Sequence, residues 1–224
     1  MSNKTKLIVI NYINSYNINN LQEYTDKLYK KDTISKFIFN TDKINAILSE
    51  MLIRVLYCEK NGISNNSIVF NKNKFGKPYI ENCKDFHFNI SHSNDMVVGI
   101  IDNEQIGIDV EYIQELEIDV AKCFCTNNEY STIVNQKKQN RGKFITSIWS
   151  LKEAYIKYLG TGLSEDLLSF DIINKDNINP DINLYSQMYN DYTLCVCTKK
   201  KLQLNSIIEE ITIDALIERY RSIC

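Results

Sequence analysis

The chain contains little that bends or interrupts it, with 7 Gly and 2 Pro in 224 residues. So few breakers exclude a flexible linker between domains. The one polar, turn-rich stretch, residues 174–181 with Asn174, Asp176, Asn177 and Pro180, reads as a loop between late strands. An excess of one charge is also missing: Lys and Arg number 26 against 28 Asp and Glu, a formal net charge of −2. That balance gives no general attraction to nucleic acid or to an anionic membrane. The runs Lys30-Lys31 and Lys199-Lys200-Lys201 are short and read as solvated faces or turns. The apolar run at residues 7–10 is too short for a signal-peptide core and far too short to span a bilayer, so it is expected to be a buried first strand of a cytoplasmic protein. Seven scattered cysteines, an odd count, do not read as a disulfide framework. Cys123/Cys125 and Cys195/Cys197 have one intervening residue where structural zinc sites usually have two, and both histidines lie elsewhere; all four are read as buried apolar thiols.

What is present describes an ordinary globular protein, 44% hydrophobic and 24% charged, large enough for one big domain or two packed halves. Ile44, Ile47, Leu48, Met51, Leu52, Val55 and Leu56 recur at three and four, which predicts an amphipathic helix over residues 42–60, capped by Thr41 and stopped by Gly62. Before it a strand is expected at residues 7–12 and a short helix at 21–30. After it come a strand at 67–70 and one at 86–91, in which Phe86, Phe88 and Ile90 face one way and His87, Asn89 and Ser91 the other. Strands at 96–101 and 106–110 are expected to complete a meander. The second part predicts short helices near 118–124 and from 126 or 127, and a long helix over 141–159 ended by Gly160-Thr161-Gly162. Strands are expected near Phe170, at 192–198 and at 202–204, with a strand or helix at 213–220. The fold class is α+β, divided into an N-terminal half, 1–105, and a C-terminal half, 106–224.

Two acidic segments stand out. Asp109 and Glu111 lie two apart in an alternating apolar stretch, so on a strand both carboxylates leave the same face, as two oxygen ligands for Mg²⁺ would. In Trp149-Ser150-Leu151-Lys152-Glu153-Ala154-Tyr155-Ile156-Lys157, Glu153 and Lys157 are four apart and share a helix face. Taken singly, each is an ordinary solvated pattern. Upstream stand Phe75-Gly76-Lys77-Pro78 and Phe86-His87-Phe88-Asn89-Ile90-Ser91-His92-Ser93.

These four segments, in this order, resemble the 4′-phosphopantetheinyl transferases, over about Ile68 to Leu163. The apolar Val110 between the two acids matches the larger monomeric type that activates peptide and polyketide synthetases, rather than the small trimeric synthases. The resemblance implies two similar halves related by pseudo-twofold symmetry, each a small antiparallel sheet packed on a long helix, with coenzyme A in the cleft between them. It implies transfer of the phosphopantetheine arm of coenzyme A to a serine of an apo acyl or peptidyl carrier protein, in nonribosomal peptide, polyketide or fatty acid biosynthesis. Asp109, Glu111 and Glu153 would hold Mg²⁺, with Mn²⁺ accepted by the same chemistry, and Glu153 would also take the serine proton. Lys157 would balance charge on the leaving bisphosphate, and Lys152 would reach another part of the phosphates. Ser91 and His92 would bind a phosphate of coenzyme A, while Gly76, Lys77 and Pro78 would approach its adenine and phosphates. His87 keeps a structural reading. Glu129 matches another acidic position of the family, and is equally an ordinary first-turn glutamate.

One departure stands at the first long helix, where Asn45 and Ala46 occupy the family's usual basic and hydroxyl positions; Lys30, Lys31, Lys36 and Lys43 are the candidate substitutes. The implied protein partner is an acidic carrier docked near Cys123-Phe124 and Tyr130, and the implied state is a monomer. A catalytically silent module of the same fold, binding coenzyme A or a carrier protein, is the alternative. A metal-dependent nuclease ranks last, because it needs a basic groove that a net charge of −2 does not promise.

Overall fold

The computed structural model describes residues 5–12 and 16–224. Strand β1 (Lys6–Asn11) leads through a 3₁₀ turn to two single-turn helices, α1 (Gln22–Thr25) and α2 (Lys31–Ile34), where one helix was expected. Helix α3 (Asn40–Asn61) follows. It starts ahead of Thr41, with Phe39 at the cap position and no side-chain cap, and ends at Gly62, whose φ of 64° is the left-handed stop. Hairpin β2 (Phe70–Lys72) and β3 (Pro78–Ile80) precedes β4 (His87–Ser93), β5 (Met96–Asp102) and β6 (Ile106–Tyr112). Then come α4 (Asn127–Val134), α5 (Lys138–Leu159), β7 (Asn183–Tyr189), β8 (Tyr192–Thr198), α6 (Leu204–Ile207), β9 (Ile208–Glu210) and α7 (Ile213–Ser222). The architecture is α+β, as the sequence implied.

Strand alternation builds the layers. One sheet has the order β4-β5-β1-β9 and a second the order β6-β8-β7. In β1, Ile8 and Ile10 pack toward α3 while Leu7 and Val9 pack toward the second sheet. In β6, Ile106, Ile108 and Val110 enter the same inter-sheet core, and in β8 Leu194 and Val196 do so while Cys195 and Cys197 face α5. The order of layers is therefore α3, first sheet, second sheet, α5. Burial of these apolar faces is the main driving force for the assembly. No helix among the described residues is long and apolar enough to cross a membrane.

Further expectations need correction. Strand β6 does not extend a meander: β4 and β5 form an antiparallel pair, but β6 pairs with β8. The division at 105/106 misplaces the last segment. Strand β9 pairs parallel with β1, and α7 buries Leu216 and Tyr220 in the α3 core, so the C-terminal tail belongs to the first half and makes its sheet mixed. Phe170 and residues 202–204 lie outside strands, and the third strand of the second sheet is β7. Lys200 is no free member of a solvated run, since its ammonium pairs with the buried carboxylate of Asp102. Cysteines 125, 195 and 197 are buried as expected, whereas Cys123 is exposed.

Candidate active site

Gly107 sets the distance between β6 and α5. A Cβ there would lie 2.1 Å from the Ala154 carbonyl oxygen and 2.5 Å from the Tyr158 nitrogen, so only glycine lets strand and helix backbones meet this closely. Since Gly107, Asp109 and Glu111 share a face by the period of two, the contact aims both acids at the Trp149–Lys157 side of α5. The two halves meet along β4 and β6, where β4 side chains supply the hydrogen bonds. Asn89 Oδ1 accepts from the Ile108 N–H at 2.8 Å, Ser91 Oγ donates to Asp109 Oδ1 at 2.8 Å, and Ser93 Oγ donates to Glu111 Oε2 at 3.0 Å.

Asp109 is buried, 2% exposed. Its Oδ1 also accepts from Lys157 Nζ at 2.6 Å, and the same ammonium donates to Ser91 Oγ at 2.9 Å. Asp109 Oδ2 and Glu153 Oε1 are buried without a hydrogen-bond partner. Glu111 Oε1 accepts from the Trp149 indole N–H at 3.1 Å. Burial raises the pKa of Glu111, with the charge of Asp109 adding to it and the Ser93 and Trp149 hydrogen bonds opposing it. Burial likewise raises Glu153; Lys157 pulls it back, and Asp109 and Glu111 push it further up. Two orphaned buried carboxylate oxygens and a third acid nearby fit a hard divalent cation, which takes oxygen ligands. The acids are not gathered at ligand spacing, for no such group of three occurs among the described residues. Lys157 holds Asp109 instead.

A cleft of about 270 Å³ opens beside them, with Phe75, Gly76, Lys77 and Pro78 on one wall and Glu153, Ile156, Lys157 and Gly160 on the other. Its first wall is the turn of the β2–β3 hairpin, shaped by Asn73, whose Oδ1 accepts from the Phe75 and Lys77 N–H groups, and by Gly76 at φ 89°. This wall is tied to the last turn of α5, where helix carbonyls lack intrahelical partners. Asn73 Nδ2 donates to the Gly160 carbonyl at 2.8 Å, Lys77 Nζ to those of Lys157 and Tyr158, and Gln105 Nε2 to that of Tyr158. Burial pushes the Lys77 ammonium down to about 8. His92 lies on the face of β4 opposite Ser91 and Ser93, with part of its surface open to solvent. Its pKa is lowered first by desolvation, then by the charges of Lys157 and Lys30, with Asp42 and Asp109 acting the other way.

Residues 105–205 match the family model of the 4′-phosphopantetheinyl transferase superfamily, and residues 20–103 that of the 4′-phosphopantetheinyl transferase N-terminal region. The chain is 30% identical over 204 residues to 4′-phosphopantetheinyl transferase psf-1 of Bacillus pumilus, covering 87% of each chain. It is 30% identical over 196 residues to 4′-phosphopantetheinyl transferase gsp of Aneurinibacillus migulanus, covering 84% of this chain and 82% of the relative. With 4′-phosphopantetheinyl transferase Sfp of Bacillus subtilis (strain 168) it shares 33% identity over 143 residues, 64% of each chain. The chain belongs to the 4′-phosphopantetheinyl transferase superfamily. Its similarity to Sfp, gsp and psf-1 places it with the larger type named by the sequence resemblance.

Within this transferase the structure brings Ser91, Asp109, Glu111, Glu153 and Lys157 together and sets Gly76, Lys77 and Pro78 across the cleft. It does not bring Lys152 there, and the phosphate role expected for that residue is corrected. Lys152 is fully buried on another side of α5. Its ammonium pairs with Glu129 Oε2 at 2.9 Å, donates to the Leu167 and Phe170 carbonyls at 2.6 and 2.8 Å, and sits 4.5 Å from the Phe170 ring centroid. Three donors meet three acceptors, leaving none for a ligand. Glu129 is equally occupied: it closes a capping box with Thr126 and accepts from the Ile172 N–H at 2.8 Å. Asn45, at the altered position of α3, is buried between the Tyr12 hydroxyl and the Asn94 carbonyl. Sequence reasoning missed the site roles of Ser93, Asn73 and Gln105. Ser93 had a legible signal, since it continues the alternation of Asn89 and Ser91 on the seam face of β4.

Proposed function

We propose that this transferase moves the 4′-phosphopantetheine arm of coenzyme A to a serine hydroxyl of an apo acyl or peptidyl carrier protein and releases 3′,5′-bisphosphoadenosine. The observation that carries the proposal is the convergence of Asp109, Glu111, Glu153 and Lys157 beside a cleft that Glu153 and Lys157 line, with two buried carboxylate oxygens, Asp109 Oδ2 and Glu153 Oε1, left without partners. Structural carboxylates at such burial are ordinarily satisfied. The intact acid set favours transfer over a silent module of the same fold.

The serine oxygen forms a bond to the phosphorus that carries the pantetheine arm, and the pyrophosphate P–O bond on the adenosine side breaks. Glu153 takes the serine proton. Its raised pKa brings the carboxylate closer to neutrality, where a general base is more effective. Lys157, held by Asp109 and Ser91, places a positive charge beside the departing phosphate oxygens. Asp109, Glu111 and Glu153 would hold Mg²⁺, or Mn²⁺ by the same oxygen chemistry, and a cation bound there would neutralise the pyrophosphate. The cleft between the β2–β3 turn and α5 receives the nucleotide end, with the backbone of Gly76, Lys77 and Pro78 along it. The Lys77 ammonium steadies α5 rather than reaching a phosphate. His92 and Lys30, whose charge acts on the imidazole, would supply the grip on the 3′-phosphate that Asn45 and Ala46 do not.

The test is intact mass of several apo carrier proteins after incubation with the enzyme, coenzyme A and Mg²⁺, with an EDTA arm. The expected result is a gain of one phosphopantetheine group that EDTA abolishes. Coenzyme A binding without any gain on any carrier would favour the silent module.

A further inference from the structure

Trp149 has no part in the chemistry above, yet its indole N–H reaches Glu111 Oε1 at 3.1 Å. The other oxygen of that carboxylate accepts from Ser93 Oγ at 3.0 Å. Ser93 Oγ itself accepts from the Tyr112 N–H at 3.1 Å, so its single proton is committed to Glu111. Glu111 thus differs from Asp109 and Glu153, each of which has a buried oxygen without a donor. It is held from both sides by two different elements, β4 and α5. The ring of Trp149 is fixed as well: it meets Phe124 edge-on, centroids 5.1 Å apart at 73°, and both line an apolar groove of about 380 Å³ with Val120, Cys123 and Ile145. Each carboxylate oxygen has two lone pairs, so one donor per oxygen fixes the plane of the group and leaves a lone pair on each.

We propose that Trp149 is a positioning residue: its indole N–H, opposed by the Ser93 hydroxyl, fixes the plane of the Glu111 carboxylate, with a lone pair left on each oxygen, for a divalent cation that would also draw on Asp109 and Glu153. The inference rests on the metal-binding reading of the proposed function. Hydrogen-bond partners behind a metal ligand set its orientation, and losing one typically costs about 10–100-fold in metal affinity. A tryptophan that only packed would have no such effect.

The test is direct Mn²⁺ binding, followed by the electron paramagnetic resonance of the free ion, on wild type, Trp149→Phe and Ser93→Ala without coenzyme A. Trp149→Phe keeps an aromatic ring and removes the N–H. About tenfold weaker Mn²⁺ binding is expected in each variant, with the thermal midpoint and the metal-free coenzyme A binding of Trp149→Phe unchanged. A folded Trp149→Phe that binds Mn²⁺ as the wild type does would overturn the inference while leaving the metal site in place. No Mn²⁺ binding by the wild type would overturn the metal reading and the inference with it. Trp149 is the sole tryptophan of the chain, so its emission gives a readout that needs no variant. The emission should change as Mg²⁺ saturates the wild-type site. A flat emission alongside measured Mn²⁺ binding would also overturn the inference.

Discussion

Lys152 and Glu153 are consecutive on α5, and their surroundings differ in almost every respect. On the Lys152 side the buried ion pair is fully matched: the ammonium has Glu129 and two carbonyls, and Glu129 has the Thr126 and Ile172 N–H groups. On the Glu153 side a buried oxygen has no donor, Asp109 lacks one too, and burial holds the Glu153 pKa up. Closed networks fix a fold, because a buried charge is tolerated only with partners. Open ones cost stability and persist where a substrate or cation completes them. One helix thus carries an anchor on one side and, in the proposed function, the chemistry on another.

The largest effect expected is on the anchor. Lys152→Met leaves the Glu129 carboxylate buried without a counter-charge, and breaking such a pair costs about 3–5 kcal/mol. Urea unfolding would show the loss as a lower midpoint at an unchanged slope. On the open side the prediction has the opposite sign for stability. Glu153→Gln should lower single-turnover transfer by about 10²–10⁴-fold, the usual contribution of a positioned proton acceptor, and leave the thermal midpoint at pH 7 equal or higher. The folded pKa of Glu153 is raised, so its stabilising contribution exists at low pH, in the protonated form, and is lost as pH rises through that pKa. The neutral amide avoids that loss.

How much of this contrast was legible in the sequence differs between the two residues. Asp109, Glu111, Glu153 and Lys157 could be paired because each spacing, two on a strand and four on a helix, is local. The long helices and their glycine stops were local too. Lys152 was misread because its partner Glu129 lies on another helix, and no pattern within α5 distinguishes a solvated lysine from one in a closed network. The switch of β6 to β8 and the return of β9 and α7 to the first half are long-range pairings of the same kind. Gly107 was visible as a letter in the acidic motif, but the backbone contact that demands it was not.

Gly107 links the two sides and offers a smaller perturbation. Gly107→Ala pushes a methyl group against the α5 backbone, where overpacking costs about 1–3 kcal/mol. It should separate β6 from α5 and reduce transfer together with stability, whereas Glu153→Gln reduces transfer alone. The smallest effect expected is at Lys77. With a folded pKa of about 8 against 10.5 unfolded, the unfolded chain holds more protons between those values, so stability gains from Lys77 as pH rises from about 8 to 10.5. Lys77→Met should remove that contribution, read as a change in the slope of the thermal midpoint against pH.

The most direct test of the division along α5 measures Lys152→Met and Glu153→Gln side by side, for thermal midpoint and for single-turnover transfer per folded molecule at a temperature where both are native. The account predicts a crossing. Lys152→Met should lose stability and keep most of its transfer, while Glu153→Gln keeps its stability and loses transfer. A folded Lys152→Met as defective in transfer as Glu153→Gln would contradict the account and return Lys152 to the phosphates.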